Sequence, residues 1–163
     1  MQKKLLFLIL FFLSVTFAYD ISYSDEKKSL LGGKAPEIRA EKWLFSKPLS
    51  LNKLRGKLVV LDFWSTRCVP CKKSVEVIKE LYKQYMVRGV FFVSLTEDEL
   101  LRVRKYARMH NMFYPIGTSS LSEYDYNAPR IPFSVLINKK GIVIWEGNPG
   151  EGLKEAIDAA INQ

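Results

Sequence analysis

The run KLVVLDFW, residues 57–64, constrains the fold more than any other stretch of the chain. It is nearly continuous in apolar residues and rich in valine and aromatics, the pattern of a strand buried on both faces. Downstream, KKSVEVIKELYKQY sets Val75, Ile78, Leu81, Tyr82 and Tyr85 at helical spacing, and Gly89 sits where a helix can stop. VFFVSL, residues 90–95, is a second buried strand. Strand, helix and strand in that order predict a βαβ unit with a parallel pair. Cys68 and Cys71 fall where the first strand hands over to the helix. Active groups gather at such carboxyl ends in parallel α/β sheets.

These are the chain's two cysteines, with Val69 and Pro70 between them. As a structural staple the pair closes almost no loop and contributes little. As half of a structural metal site it lacks partners, since about four ligands are needed and His110 is the one histidine. A redox pair needs two thiols within bonding reach, one of them easily ionised, and that reading leads. Proline is tolerated in the first turn of a helix, so Pro70 is compatible with a helix starting at Cys68. The free N–H groups and partial positive charge of the helix start stabilise a thiolate at Cys68. Arg67, Lys72 and Lys73 act in the same direction. Cys68 is therefore expected to attack, and Cys71, pointing inward and protonated, to resolve the mixed disulfide.

The N-terminus reads as a secretory signal over residues 1–18: a basic MQKK, the apolar run LLFLILFFL, and small residues before a cut after Ala18. The uncharged run 5–19 is shorter than the roughly 20 residues of a spanning helix, so an uncleaved membrane anchor is the second reading. Residues 19–34 read as a flexible leader and 35–163 as the folded domain. Export makes a disulfide chemically persistent and suits a periplasmic or otherwise extracytoplasmic protein. The formal net charge is +8, but the basic residues are spread along the chain, so no nucleic-acid partner is expected. The chain is expected to be a monomer.

In the second half, TEDELLRVRKYARMHN reads as a basic helix opened by a capping box from Thr96 to Glu99. FSVLI, NKKG and IVIWE read as a β-hairpin, and EGLKEAIDAAI as a closing amphipathic helix. SEYDYNAPR reads as a packed helix and loop, and His110 as a helix C-cap rather than a ligand.

SLNKLRGKLVVLDFW, CVPC, RIPFSVLINKKG and the terminal helix together resemble the thioredoxin-like TlpA/ResA group of extracytoplasmic thiol–disulfide oxidoreductases, over roughly residues 35–161. The resemblance implies an α/β, thioredoxin-like fold: a central mixed sheet flanked by helices, an added N-terminal β-hairpin near residues 36–51, and a helical insert after the second strand. It implies a cis Ile131–Pro132 bond facing the disulfide, with Ile131 offering backbone groups to a bound peptide strand. It implies no cofactor beyond the Cys68–Cys71 disulfide. It also implies exported protein substrates, apocytochrome c as a candidate, and a membrane thiol-transfer protein as electron donor.

Three departures from the group stand out. Ser74 occupies a position where glutamate is common. Asp62 stands where many members have asparagine, and matches the buried aspartate of thioredoxin. That match makes it the expected proton acceptor for Cys71, although VFFVSL lacks the lysine that accompanies the aspartate there. Arg67 replaces the usual tryptophan before the first cysteine, and is a candidate for thiolate stabilisation or substrate contact. Trp64 is in its expected place and is read as packing beside the disulfide and contacting substrate. A peroxiredoxin-like peroxidase would need proline where Leu61 stands, with Ser65 alone fitting its pattern. A copper-delivery protein would need a wider cysteine spacing and a histidine ligand that His110 fits poorly.

Overall fold

The computed structural model describes residues 28–162 except Pro129. The signal segment, the membrane-anchor alternative and most of the leader lie outside the described residues. Among the described residues, no helix is long and apolar enough to cross a membrane.

Among the described residues, six strands form one mixed sheet, in the order β1 (Lys42–Leu44), β4 (Ile116–Thr118), β3 (Val90–Leu95), β2 (Leu58–Phe63), β5 (Phe133–Ile137), β6 (Val143–Gly147). At its centre β2 (Leu58–Phe63) is buried at every position. It pairs in parallel with β3 (Val90–Leu95) and antiparallel with β5 (Phe133–Ile137). The βαβ unit is thus present: α1 (Cys71–Tyr85) connects β2 to β3 through a short 3₁₀ turn ending at Gly89, which is left-handed at φ 84°. The predicted hairpin is β5 with β6 (Val143–Gly147).

Period-two alternation along β2 divides the core. Leu58, Val60 and Trp64 pack with Val75, Ile78 and Tyr85 of α1, and with residues of α2 (Leu100–Met109) and α4 (Leu153–Ile161). Val59, Leu61 and Phe63 face the other way, against Ile38, Leu54 and Tyr126. Each such side chain contributes about 1.5–3 kcal/mol by leaving water, and this burial seats α1 on the sheet.

Several expectations are corrected. The N-terminal segment forms no hairpin of its own between residues 36 and 51. It contributes β1 (Lys42–Leu44), paired antiparallel with β4 (Ile116–Thr118). Phe45 then turns the chain away at φ 60°. The end of the leader is tied to the sheet rather than loose: Gly32 and Ala35 donate N–H bonds to Val143 and Gly141, and Lys34 bridges to Ile142. The capping box does not form. Helix α2 starts at Leu100 with Glu99 as an extended N-cap whose side chain makes no cap bond; Thr96 instead bonds Asp98, and Asp98 bonds the loop beside the cysteines. His110 is the C-cap of α2 and stacks on Tyr106 at 4.1 Å. The tyrosine-rich stretch holds a short helix α3 (Ser122–Asp125), and the Tyr126 hydroxyl donates to the Pro36 carbonyl at 2.6 Å.

Candidate active site

Strand β2 ends at Phe63, and the chain turns through residues 65–70 into α1. Cys68 and Cys71 are joined by a disulfide at this junction. Cys71 is fully buried, whereas Cys68 is partly exposed. The regular helix begins at Cys71, but Pro70 is already helical (φ −61°, ψ −28°). The backbone N–H of Cys71 reaches the Cys68 carbonyl at 3.2 Å and the Cys68 Sγ at 3.2 Å. Cys68 thus occupies the place of an N-capping side chain, its sulfur accepting a helix N–H. A thiolate there faces the positive end of the helix.

The Ile131–Pro132 bond is cis, and the Ile131 carbonyl oxygen lies 3.8 Å from Cys68 Sγ. Val69, Pro70, Lys73, Ser74, Val77 and Pro132 line a cavity of about 510 Å³ completed by Asn148, Gly150 and Glu151 after β6. Ser74 does not stand in for a carboxylate: its hydroxyl donates to the Cys71 carbonyl at 2.9 Å.

Asp62 lies in the strand layer under the helix start, on the face of β2 that α1 covers. Its neighbours in register are Ser94 on β3 and Ser134 on β5. Both hydroxyls donate to its carboxylate, at 3.1 and 2.9 Å. Burial pushes its pKa up to about 7, and the two serine bonds only partly oppose this. Residues 94 and 134 are the polar interruptions of two apolar strands, a signal readable in the sequence once their register with Asp62 is known.

Trp64 is fully buried, tilted on Tyr106 with ring centroids 5.2 Å apart. It packs in the core cluster that includes Cys71, so it supports the site from within. The expected substrate contact is corrected: the side chain has no exposed surface to offer, because α2 closes over it.

Arg67 is exposed, and its Nε lies 3.8 Å from Asp98 Oδ1. Asp98 was missed in the sequence. It follows β3, its side chain is 2% exposed, and its Oδ2 accepts bonds from the Ser65 hydroxyl at 2.9 Å and the Thr66 N–H at 2.6 Å. Burial raises its pKa, but the Thr66 and Ser65 donors and Arg67 more than offset this and hold it below the usual carboxylate range.

Among the described residues, no group of three or more histidine, cysteine, aspartate or glutamate side chains is arranged to hold a metal ion. What the arrangement provides is a half-exposed sulfur at a helix start, a buried partner sulfur and a buried acid that titrates near neutrality.

The comparisons with known proteins agree with that chemistry. The Redoxin family model matches residues 30–161. The chain is 32% identical to the thiol-disulfide oxidoreductase ResA of Bacillus cereus, over 96% of this chain and 94% of the relative. It is 29% identical to ResA of Bacillus anthracis, over 99% of this chain and 97% of that protein. The fold matches the thioredoxin domain of a thiol-disulfide oxidoreductase from Bacteroides vulgatus with a TM-score of 0.72 at 19% identity, covering 83% of this chain and all of that one. With a CxxC disulfide at the strand–helix junction of a thioredoxin-like sheet, the chain belongs to the Redoxin family and is a thiol–disulfide oxidoreductase of the ResA/TlpA kind.

Proposed function

We propose that the protein works outside the cytoplasm and reduces disulfides of exported proteins, apocytochrome c being one candidate substrate. The single observation that carries the exchange mechanism is the asymmetry of the sulfurs: Cys68 is partly exposed and capped by a helix N–H, and Cys71 is fully buried. In the reduced protein, the Cys68 thiolate attacks a substrate disulfide. One S–S bond breaks, a Cys68–substrate bond forms, and the first substrate sulfur leaves as a thiolate that takes a proton from solvent. The Cys71 thiol then loses its proton to Asp62, attacks Cys68 Sγ, and releases the second substrate sulfur. The substrate has gained two electrons and the protein holds the Cys68–Cys71 disulfide. A membrane thiol-transfer protein returns it to the dithiol.

Asp62 suits its role because its pKa of about 7 lets it accept and return a proton near neutrality. The Ile131 backbone beside Cys68 suits pairing with an extended substrate strand, and the groove along Val69 and Pro132 suits its side chains. Export rests on the signal-like residues 1–18. The reducing direction rests on the Val-Pro dipeptide between the cysteines. The pair should then have a potential near the reducing end of the roughly −270 to −120 mV range of such dithiols.

The test is alkylation of the reduced protein at mildly acidic pH, read by mass spectrometry, with substrate trapping alongside. Cys68 should label far faster than Cys71. Cys71→Ser should accumulate mixed disulfides through Cys68, and Cys68→Ser almost none. Labelling of Cys71 first would reverse the two roles.

A further inference from the structure

Beside Cys68 stands a second buried carboxylate whose two oxygens are divided between different tasks. Asp98 Oδ2 takes the Ser65 hydroxyl and the Thr66 N–H, which fixes it to the loop that delivers the nucleophile. Asp98 Oδ1 is approached by two guanidinium groups, Arg67 Nε at 3.8 Å and Arg102 Nη1 at 3.5 Å. The two arginines are thus brought together at one oxygen atom, although they come from the nucleophile loop and from α2. One carboxylate cannot neutralise both, so the cluster keeps one net positive charge. Most of the ten guanidinium N–H donors remain for another acceptor. Both side chains are open to solvent, 77% exposed for Arg67 and 53% for Arg102, while the carboxylate that orders them is 2% exposed.

A solvated surface arginine lacks such an anchor. Here a nearly fully buried acid sits beneath the pair and is itself locked by a backbone N–H. Lys72 and Lys73, exposed in the first turn of α1, add charge of the same sign. Of the nearby acids, Glu97 is engaged with the Tyr124 hydroxyl, and Glu99 is the extended N-cap of α2. The sheet order sets the cluster and the groove apart. Asp98 follows β3, residues 148–151 follow β6, and β2 with Cys68 lies between them. A substrate strand crossing the disulfide therefore meets a largely apolar groove on one flank and the arginine pair on the other.

We propose that Arg67 and Arg102, held together on the buried Asp98 carboxylate, form an anion-recognition clamp that selects disulfide substrates with acidic residues flanking the reacting cysteine. Arg67 and Arg102 are specificity residues and Asp98 is a positioning residue. The proposal rests on the exchange activity of Cys68 and Cys71 and adds a substrate class to it. Carboxylates suit paired guanidinium forks geometrically. Two partly exposed ion pairs together give a preference of about tenfold, reduced by salt.

The experiment compares three synthetic peptides, each cyclised by its own disulfide, with two Glu, two Gln or two Lys residues next to the cysteines. The reduced full chain is assayed for kcat/KM on each at low and high salt. The wild type should prefer the Glu peptide over the Gln peptide by about tenfold at low salt and reduce the Lys peptide slowest. Arg67→Gln and Arg102→Gln should each lower the Glu-over-Gln preference to about threefold, a ratio taken within each variant so that any change in Cys68 reactivity cancels. Asp98→Asn separates positioning from charge. It makes the site more positive, so a simple field effect would raise the preference, whereas loss of the anchor lowers it. Equal wild-type rates on the Glu and Gln peptides, or a preference kept in Arg67→Gln, whose exposed side chain makes misfolding no explanation, would overturn the clamp and leave the exchange reaction standing. Failure to reduce any of the three peptides would overturn both.

Discussion

Asp62 and Asp98 are both removed from water, both accept serine hydroxyls and both flank the strand–helix junction that carries Cys68, yet they titrate in opposite directions. Asp62, in the floor of the sheet, has two neutral hydroxyl donors, and burial prevails, carrying its pKa to about 7. Asp98, in the loop beside the site, has the Thr66 N–H and the Ser65 hydroxyl aimed at it and Arg67 beside it, and these more than offset burial and hold its pKa below the usual range. Burial sets the cost of a charge, and the donors decide whether it is met. The same residue type thus supplies a group that exchanges protons and a group that stays a fixed anion.

The largest expected effect comes from removing the first of the pair. Asp62 holds its proton in the folded protein from pH 3.8 up to about 7, where the unfolded chain has already released it. Stability should therefore fall as pH rises through that window, by about 1.4 kcal/mol per unit and about 4 kcal/mol in all. Asp62→Asn mimics the protonated form. Its gain over wild type in urea unfolding should be near zero at pH 4, grow to its full value near pH 7 and level off above. The same variant should leave the first attack by Cys68 nearly intact and slow release of the mixed disulfide by about 10²-fold. A variant that is less stable at pH 8 and turns over normally would make Asp62 merely structural.

Asp98 carries the opposite sign. Its folded pKa is depressed, so its contribution is fully present above the unfolded value and is lost as pH falls through the folded one. Asp98→Ala should cost about 2–3 kcal/mol at pH 7, because it strands the Thr66 N–H and breaks charge-assisted bonds. The cost should shrink in acid. Urea midpoints at pH 7 and at low pH measure both. A loss that is the same at the two pH values would mean that Asp98 acts as a space-filler and that the contrast with Asp62 is false.

The two acids also differ in how far the sequence discloses them. Asp62 interrupts an apolar strand directly before the cysteines, and a polar residue there is conspicuous. The βαβ unit, the helix stripe of Val75, Ile78 and Leu81 and the β5–β6 hairpin are equally plain, since each repeats a period that burial imposes. Asp98 sits in TEDE, where three acids in four residues read as a solvated helix start and Thr96 with Glu99 imitates a capping box. Its importance comes from Ser65 and Thr66, more than 30 positions away, and no local pattern carries that contact. Strand β4 was hidden for a related reason. It is three residues long and contains Gly117, which breaks the apolar strand pattern. A Cβ there would come within 2.7 Å of Ala40 and 2.8 Å of Leu95, so glycine is set by the packing of distant segments rather than by a bend.

The smallest effect tests the contrast at the level of one hydrogen bond. The Ser134 hydroxyl donates to Asp62 Oδ1 at 2.9 Å and is the larger of the two bonds opposing burial. Ser134→Ala removes a donor that favours the ionised form. A buried hydrogen bond of about 1 kcal/mol corresponds to a rise of about one pKa unit. The Asp62 carboxyl, followed by ¹³C NMR, should then titrate above neutrality, and the pH window over which the protein loses stability should extend upward with it. Ser65→Ala removes the equivalent hydroxyl from Asp98 but leaves the Thr66 N–H, its stronger donor, together with both arginines. Asp98 should therefore remain ionised throughout the neutral range. If both carboxyls move by the same amount, the surplus of donors around Asp98 is not what separates them, and burial alone would have to account for two opposite shifts, which it cannot.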